Sequence, residues 1–339
     1  MDRVGYSAGS LLTTKDVLLF SRLADREPNV DSLWVPESWG REAFATLGAI
    51  SQVTNRVRLG TAIVSIFART PATVAMAATT LDMLSYDRTL IGLGVSTDAI
   101  VEQWHGIPFF KPTLRMHEYV QCVRDMITGE EVNYSGTFFN VRRFKLLYKP
   151  RRRIIPILMA ALNRKMIMLS CAIADGVLLY LRPLEELKRT VLDIRSATRR
   201  DRERFEIASI FIGAVSNSEP EKARQRAAKT LAFYVSVGKF YNRFLSRNGF
   251  SNEINQITEE YRLNGLDAAT RYVSEGMLDS LTISGDSEQC LRSFERFCSS
   301  GISLPIIQVN PVGDPESSFR DILSTFSSAR GCDNCVCNC

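Results

Sequence analysis

Apolar, β-branched stretches alternate with helix-patterned stretches along almost the whole chain, and this rhythm restricts the fold more than any motif does. Arg3–Ser7 reads as a strand, Thr14–Asp25 as a helix capped by Thr13 or Thr14, Leu33–Pro36 as a second strand and Glu42–Val53 as a second helix. The stretch Asn55–Pro71, NRVRLGTAIVSIFARTP, supplies the third strand. Val57, Leu59, Ala62, Ile63 and Val64 make it as apolar as a parallel strand covered on both faces should be. Helix Ala72–Leu84, strand Thr89–Gly94 and helix Leu114–Ile127 follow. The period then changes, because Val132–Leu146 alternates like a hairpin with Ser135–Gly136 as its turn. Strand Ile154–Ala160, helix Lys165–Ala174, strand Gly176–Leu181, helix Leu184–Thr198 and strand Phe205–Val215 restore the rhythm. Glu219–Asp279 reads as helical throughout, and helix Ser287–Ser299, strand Leu304–Val309 and helix Pro315–Ser328 complete the series. Eight strands with intervening helices predict an α/β fold, a (β/α)8 TIM barrel, with a hairpin insertion before strand 5 and a helical insertion after strand 7. A single barrel domain is expected over residues 1–330, followed by a cysteine-rich tail at 331–339.

The 339 residues are 45% hydrophobic, enough for a large core, and no apolar run is long enough to span a bilayer. The opening MDRVGYSAG is not a signal peptide, so a cytoplasmic protein without a membrane partner is expected. A balance of 42 basic to 37 acidic residues is compatible with an anionic small-molecule partner and gives no argument for nucleic acid. Cys122, Cys171, Cys290 and Cys298 fall in helix-like sequence and are expected as buried, reduced thiols. Cys332, Cys335, Cys337 and Cys339 crowd the tail GCDNCVCNC, which is too short and polar to resemble a zinc fold; no metal site is expected. Phe233, Tyr234, Phe240, Tyr241 and Phe244 read as core or subunit-interface packing.

In a barrel of parallel strands, chemistry belongs to the loops after the strands. After strand two stand Glu37, Ser38, Trp39, Gly40 and Arg41: a carboxylate, a hydroxyl and an indole that could hold a planar ring, or a Glu37–Arg41 pair beside a packed Trp39. After strand three come Ser65 and Arg69, the latter suited to an anion or to a structural acid. Gly94, Val95, Ser96, Thr97 and Asp98 follow strand four, and Gly92-Leu93-Gly94 is too short for a dinucleotide fingerprint. After strand five, Ala160, Ala161, Leu162, Asn163, Arg164 and Lys165 offer a helix start capped by Asn163, a natural phosphate site. Arg151-Arg152-Arg153 precedes strand five and reads as a solvated basic edge on the opposite face.

The segments LWVPESWGREAF, VRLGTAIVSIFARTPATVAMAATTLDMLS, RTLIGLGVS, WHGIPF, YSGTFFNVRRFKL, PILMAALNRKM, IADGV and LPIIQVNPVG, in that order, resemble the bacterial luciferase-like superfamily. Within it they resemble the deazaflavin branch, which includes methylenetetrahydromethanopterin reductase and deazaflavin-dependent alcohol and glucose-6-phosphate dehydrogenases. The resemblance implies a luciferase-like barrel holding coenzyme F420 at its C-terminal mouth, with flavin mononucleotide (FMN) and oxygen chemistry as the alternative, and a homodimer. It also implies a non-prolyl cis peptide at Ala62–Ile63, an acid near the ring at Glu37, a substrate-side Trp39, and phosphate loops over Ala160–Lys165 and around Gly176. The candidate catalytic residues are therefore Glu37, Ser38 and Trp39. The candidate cofactor-binding residues are Ala62, Ile63, Ser65, Gly94, Ser96, Ala160, Ala161, Asn163, Arg164 and Gly176. Relatives often carry histidine directly after the acid, where Ser38 stands, and some carry glutamate after strand four, near Thr97 and Asp98. Serine takes up no proton near neutral pH, so the implied reaction is hydride transfer to an already electrophilic C=N or C=C carbon, as in a methylene-pterin. A barrel that binds coenzyme without turnover is the other reading.

Overall fold

Polar turns punctuate the apolar runs, and the strands form between them: β1 (Val4–Ala8), β2 (Val30–Val35), β3 (Arg58–Thr61), β4 (Val64–Ser65), β5 (Thr89–Gly94), β6 (Val132–Ser135), β7 (Asn140–Phe144), β8 (Ile157–Ala160), β9 (Gly176–Tyr180), β10 (Glu206–Val215), β11 (Thr282–Gly285) and β12 (Leu304–Val309). The helices are α1 (Thr14–Ala24), α2 (Ala43–Ser51), α3 (Pro71–Ser85), α4 (Pro112–Ile127), α5 (Arg164–Ile173), α6 (Leu184–Ala197), α7 (Pro220–Val237), α8 (Lys239–Leu245), α9 (Ser251–Asn264), α10 (Leu266–Thr270), α11 (Glu275–Leu281), α12 (Ser287–Cys298) and α13 (Pro315–Ser327). This computed structural model describes residues 3–9, 12–37, 40–198 and 204–327; the cysteine tail lies outside them. With β3 and β4 as one interrupted strand and β11 as a short strand paired with β10, the chain adopts the (β/α)8 barrel fold, the β6–β7 hairpin preceding β8 and helices α7–α11 following β10. The helix starts are chemically specified. The Thr13 hydroxyl accepts from the Asp16 N–H (3.2 Å) while the Asp16 carboxylate accepts from the Thr13 N–H (3.1 Å). Thr70 caps α3, with Pro71 in its first turn.

Two compact units make up the fold. The first holds the described residues up to Asp31, Leu179–Asp193 and those from Ile207 onward. Here β12 lies between β1 and β10 and runs parallel to both, with Gly5 opposite Ile306 and Ala208 opposite Leu304. Phe20 of α1 meets Phe319 of α13 edge-on, ring centroids 5.1 Å apart. Strand β11 pairs with β10, Ile212 opposite Thr282. Periodicity alone predicts no strand there: Thr-Ile-Ser-Gly is short, and α11 ends directly before it. The helical stretch is itself interrupted, α7 ending at Gly238 and α9 at Gly265. Tyr234, Tyr241 and Phe244 pack against the buried core of these helices, Tyr234 and Tyr241 edge-on to Tyr180 at 5.1 and 5.9 Å. All three are partly buried there.

The second unit holds Ser32–Leu178 and Ile194–Glu206. Strands β2, β3, β5, β8 and the start of β9 run parallel in that order, and β4 also pairs with β5. Cys122 and Cys171 are buried free thiols here, as are Cys290 and Cys298 in the first unit. Burial, with Asp125 and Glu118 nearby, pushes the Cys122 thiol up to about 12, so it stays protonated and inert.

Two expectations need correction. The hairpin turn spans residues 136–139, closed by the Gly136 N–H to the Phe139 carbonyl (2.9 Å), and is not the two-residue Ser135–Gly136 turn. The cause is Glu118 of α4, whose buried carboxylate accepts the N–H groups of Thr137 and Phe138, both at 2.8 Å, inside a longer loop. Of the basic run only Arg152 departs from a solvated edge, while Arg151 and Arg153 stay exposed. Arg151 pairs with Asp87, Arg152 with the buried Asp82, and Arg153 with Glu130.

Burial pushes the Glu118 carboxyl up, but the N–H groups of Phe138, Thr137 and Phe139 outweigh that and hold it below the usual carboxylate range. A depressed carboxylate stabilises the fold fully above its unfolded value of about 4.3 and loses that contribution as pH falls through the folded value. Glu118→Gln is therefore expected to cost about 1–2 kcal/mol at neutral pH and to flatten the acid limb of stability. Urea melts of both proteins between neutral pH and pH 3 check this; parallel pH profiles would contradict it.

Candidate functional site

The site forms where β3 stops. Its last residue is Thr61, the Ala62–Ile63 peptide is cis, and β4 begins at Val64. Backbone hydrogen bonds fix this bulge between its neighbours: the Ala62 N–H donates to Val35 O (2.8 Å), the Glu37 N–H to Ile63 O (3.3 Å), and the Ile66 N–H to Gly94 O (3.0 Å). One residue earlier, the Thr61 hydroxyl donates to the Gly92 carbonyl and accepts from the Gly92 N–H, both at 2.8 Å.

The ends of β4, β5 and β8 meet at one place. A Cβ added to Gly94 would lie 2.6 Å from the Ile63 side chain and 3.5 Å from Ala160 Cβ, so Ile63 covers Gly94 and stands next to Ala160, an apolar junction of three residues. Ala62, Ile63, Ser96 and Ala160 are half-buried, whereas Ser65, Gly94 and Ala161 are buried. Ser65 Oγ accepts from the Phe67 N–H (3.2 Å), and Ser96 adopts a left-handed backbone with φ of 60°. Asn163 caps α5 by accepting from the Met166 N–H (3.0 Å), and Arg164 begins the exposed first turn. Gly176 is not brought together with these residues. It starts β9, buried at the N-terminal end of its strand, where a Cβ would crowd Glu206.

Glu37 accepts three hydrogen bonds. Its carboxylate is forked by Arg69, Nε to Oε1 at 3.1 Å and Nη2 to Oε2 at 2.7 Å, and it also accepts from the Ala43 N–H at 3.0 Å. Of the two partners considered for Arg69, the structure shows the acid. The hydrogen bond to Glu37 raises the guanidinium's pKa further, against the effect of burial. Arg69 also reaches Glu42, the cap of α2. The Tyr119 hydroxyl donates to the carbonyls of Arg69 (3.1 Å) and Thr70 (3.3 Å). Periodicity missed the roles of Thr61, Arg69 and Tyr119, because each is defined by a partner at least 31 residues away. Ser38 and Trp39 lie outside the described residues. Among the described residues, no helix is long and apolar enough to cross a membrane, and no cluster of three potential metal ligands occurs.

A family model described as luciferase-like monooxygenase matches residues 11–304. The chain belongs to that family. Among similar members of known sequence is a Mycobacterium tuberculosis protein provisionally named a coenzyme F420-dependent oxidoreductase, 29% identical over 306 residues, covering 84% of this chain and 88% of that one. The 5,10-methylenetetrahydromethanopterin reductase of Archaeoglobus fulgidus is 25% identical over 311 residues, covering 89% and 91%. The structure of the coenzyme F420-dependent tetrahydromethanopterin reductase from Methanopyrus kandleri superposes with a TM-score of 0.85 at 19% identity, covering 97% of this chain and 98% of that one. At that identity the likeness is one of fold: the luciferase-like (β/α)8 barrel.

Proposed function

We propose that this luciferase-like protein is an F420-dependent oxidoreductase. It transfers a hydride between C5 of the deazaflavin and an unsaturated C=N or C=C carbon of a small substrate of the methylene-pterin kind. The observation that carries this reading is the junction of Ile63, Gly94 and Ala160 at the strand ends. A planar ring needs an apolar contact surface, and the half-buried Ile63 side chain, seated over Gly94 beside Ala160, would offer one. The names of the relatives support the deazaflavin over a flavin.

Bound F420 would supply or accept the hydride, and the protein's part is position and electrostatics. Ala62, Ile63, Gly94 and Ala160 would face the ring, with Ser65 and Ser96 beside them. Asn163, Arg164 and the first turn of α5 would face the phosphate. Glu37 accepts three hydrogen bonds from Arg69 and the Ala43 N–H, which leaves a lone pair of Oε1 that would orient a polar edge of the ligand. That arrangement suits a substrate carbon that is electrophilic before it binds. Ser38 and Trp39, next in the chain, would border the substrate. A cytoplasmic homodimer completes the proposal.

Equilibrium titration of the purified protein with F420 and with FMN tests it. F420 is expected to bind at least about 10-fold more tightly, a difference of about 1.4 kcal/mol. Preference for FMN would move the chemistry to oxygen, and binding of neither would overturn the reading.

A further inference from the structure

One face of α4 touches both the hairpin turn and the loop that carries Arg69. Arg115, Glu118 and Tyr119 share that face. The Arg115 guanidinium sits 4.7 Å from the Phe67 ring of the loop and 5.3 and 5.2 Å from the Phe138 and Phe139 rings of the turn. Glu118 holds the turn by its backbone N–H groups, and the Tyr119 ring meets Phe139 edge-on at 5.6 Å. From Tyr119 the contacts lead inward: its hydroxyl to the carbonyls of Arg69 and Thr70, the Arg69 fork to Glu37, and the Glu37 N–H to the Ile63 carbonyl.

We infer that Tyr119 and Arg69 are positioning residues, a chain of hydrogen bonds through which the hairpin and α4 fix Glu37 and Ile63 at the coenzyme wall. The inference rests on the functional reading above and assigns to that site a support which periodicity did not reveal. The chain has physical content at each step. The phenol is buried, and burial raises its pKa, so the hydroxyl remains a donor. The carbonyls it bonds belong to the residue that forks Glu37 and to the cap of α3, so loop and helix start move together. The Arg69 fork fixes the plane of the carboxylate as well as its position, which a single charge contact would not do. A rigid wall is what a ring bound by stacking requires, because a loosely supported site misplaces the reacting carbon.

Tyr119→Phe and Arg69→Lys, compared with the unmodified chain, test the inference with F420 as the probe. The readouts are the dissociation constant, the absorption spectrum of bound F420, and hydrogen exchange by mass spectrometry over residues 35–46 and 60–70. Tyr119→Phe is expected to stay folded, weaken F420 binding about 3- to 10-fold, alter the bound spectrum and speed exchange in both segments. Arg69→Lys keeps the charge but loses the fork, and is expected to weaken binding by about 10-fold or more with the same exchange signature. Unchanged binding, spectrum and exchange in both variants would overturn the inference. Were the unmodified chain to bind no F420, the functional reading would fall, and the exchange data alone would decide the hydrogen-bond chain.

Discussion

Arg152→Ala is expected to lower the melting temperature by roughly 10 °C, corresponding to about 3–5 kcal/mol of stability in a chain of this size. The reason is Asp82 on α3, which is only 2% exposed. Its carboxylate accepts from Arg152 Nε at 3.0 and 2.9 Å, from Arg152 Nη2 at 2.6 Å, and from the Thr89 N–H at 3.2 Å. Arg152 also donates to the Thr89 carbonyl (2.6 Å), so one guanidinium joins α3 to the start of β5. Removing it leaves a carboxylate in the interior with its cation gone, which costs far more than losing an exposed ion pair. The double replacement Asp82→Leu with Arg152→Met should recover much of the loss, since the apolar pair leaves no uncompensated charge. Thermal and urea melts of both variants and of the unmodified chain decide the matter. A loss below about 1 kcal/mol for Arg152→Ala would mean that Asp82 is solvated when its partner is gone.

Gly92→Ala should be the second severe change, costing about 3 kcal/mol, at the upper end for overpacking, and weakening coenzyme binding as well. The new Cβ would overlap the Thr61 carbonyl oxygen and stand 3.0 Å from its carbonyl carbon and from Leu178 Cδ1. Backbone offers no rotamer by which to yield, so β3 and β5 would have to separate. Separation breaks the paired hydrogen bonds between the Thr61 hydroxyl and Gly92, and Thr61 is the residue before the Ala62–Ile63 bulge. The measurement is a denaturant melt combined with F420 titration. A variant of parental stability and affinity would show that the two strands part freely.

Much of the fold was legible because period is a local property. Thr89–Gly94 forms a strand with those bounds, and the helix starts at Thr13 and Asn163 follow from side chains that reach only three residues ahead. What was not legible depends on partners distant in the chain. Arg152 looks like one more hydrated charge between the exposed Arg151 and Arg153 until the buried Asp82 is brought to it. Thr282–Gly285 is a strand because β10 lies beside it, since four residues carry too little pattern of their own. The strand-end position of Ile63, Gly94 and Ala160 was readable, and so was Glu37. That Arg69 neutralises Glu37 was not, because a carboxylate and a guanidinium 32 residues apart give no local sign of meeting.

The parallel pairing of β1 with β12 also bears on how the chain is made. Gly5 cannot find Ile306 until that residue has left the ribosome, about 15–60 s after β1 emerges at ordinary elongation rates. During that interval the first strand has one edge with no ladder to complete, and apolar Val4 and Tyr6 need shelter from other chains. Helix α1 can fold back over Tyr6 through Phe20 early, their rings meeting edge-on at 5.3 Å, whereas Phe319 reaches Phe20 only once α13 has emerged. Vectorial synthesis thus makes the β1–β12 seam a late event, and a ribosome-stalled chain lacking residues beyond 300 would be a natural chaperone client.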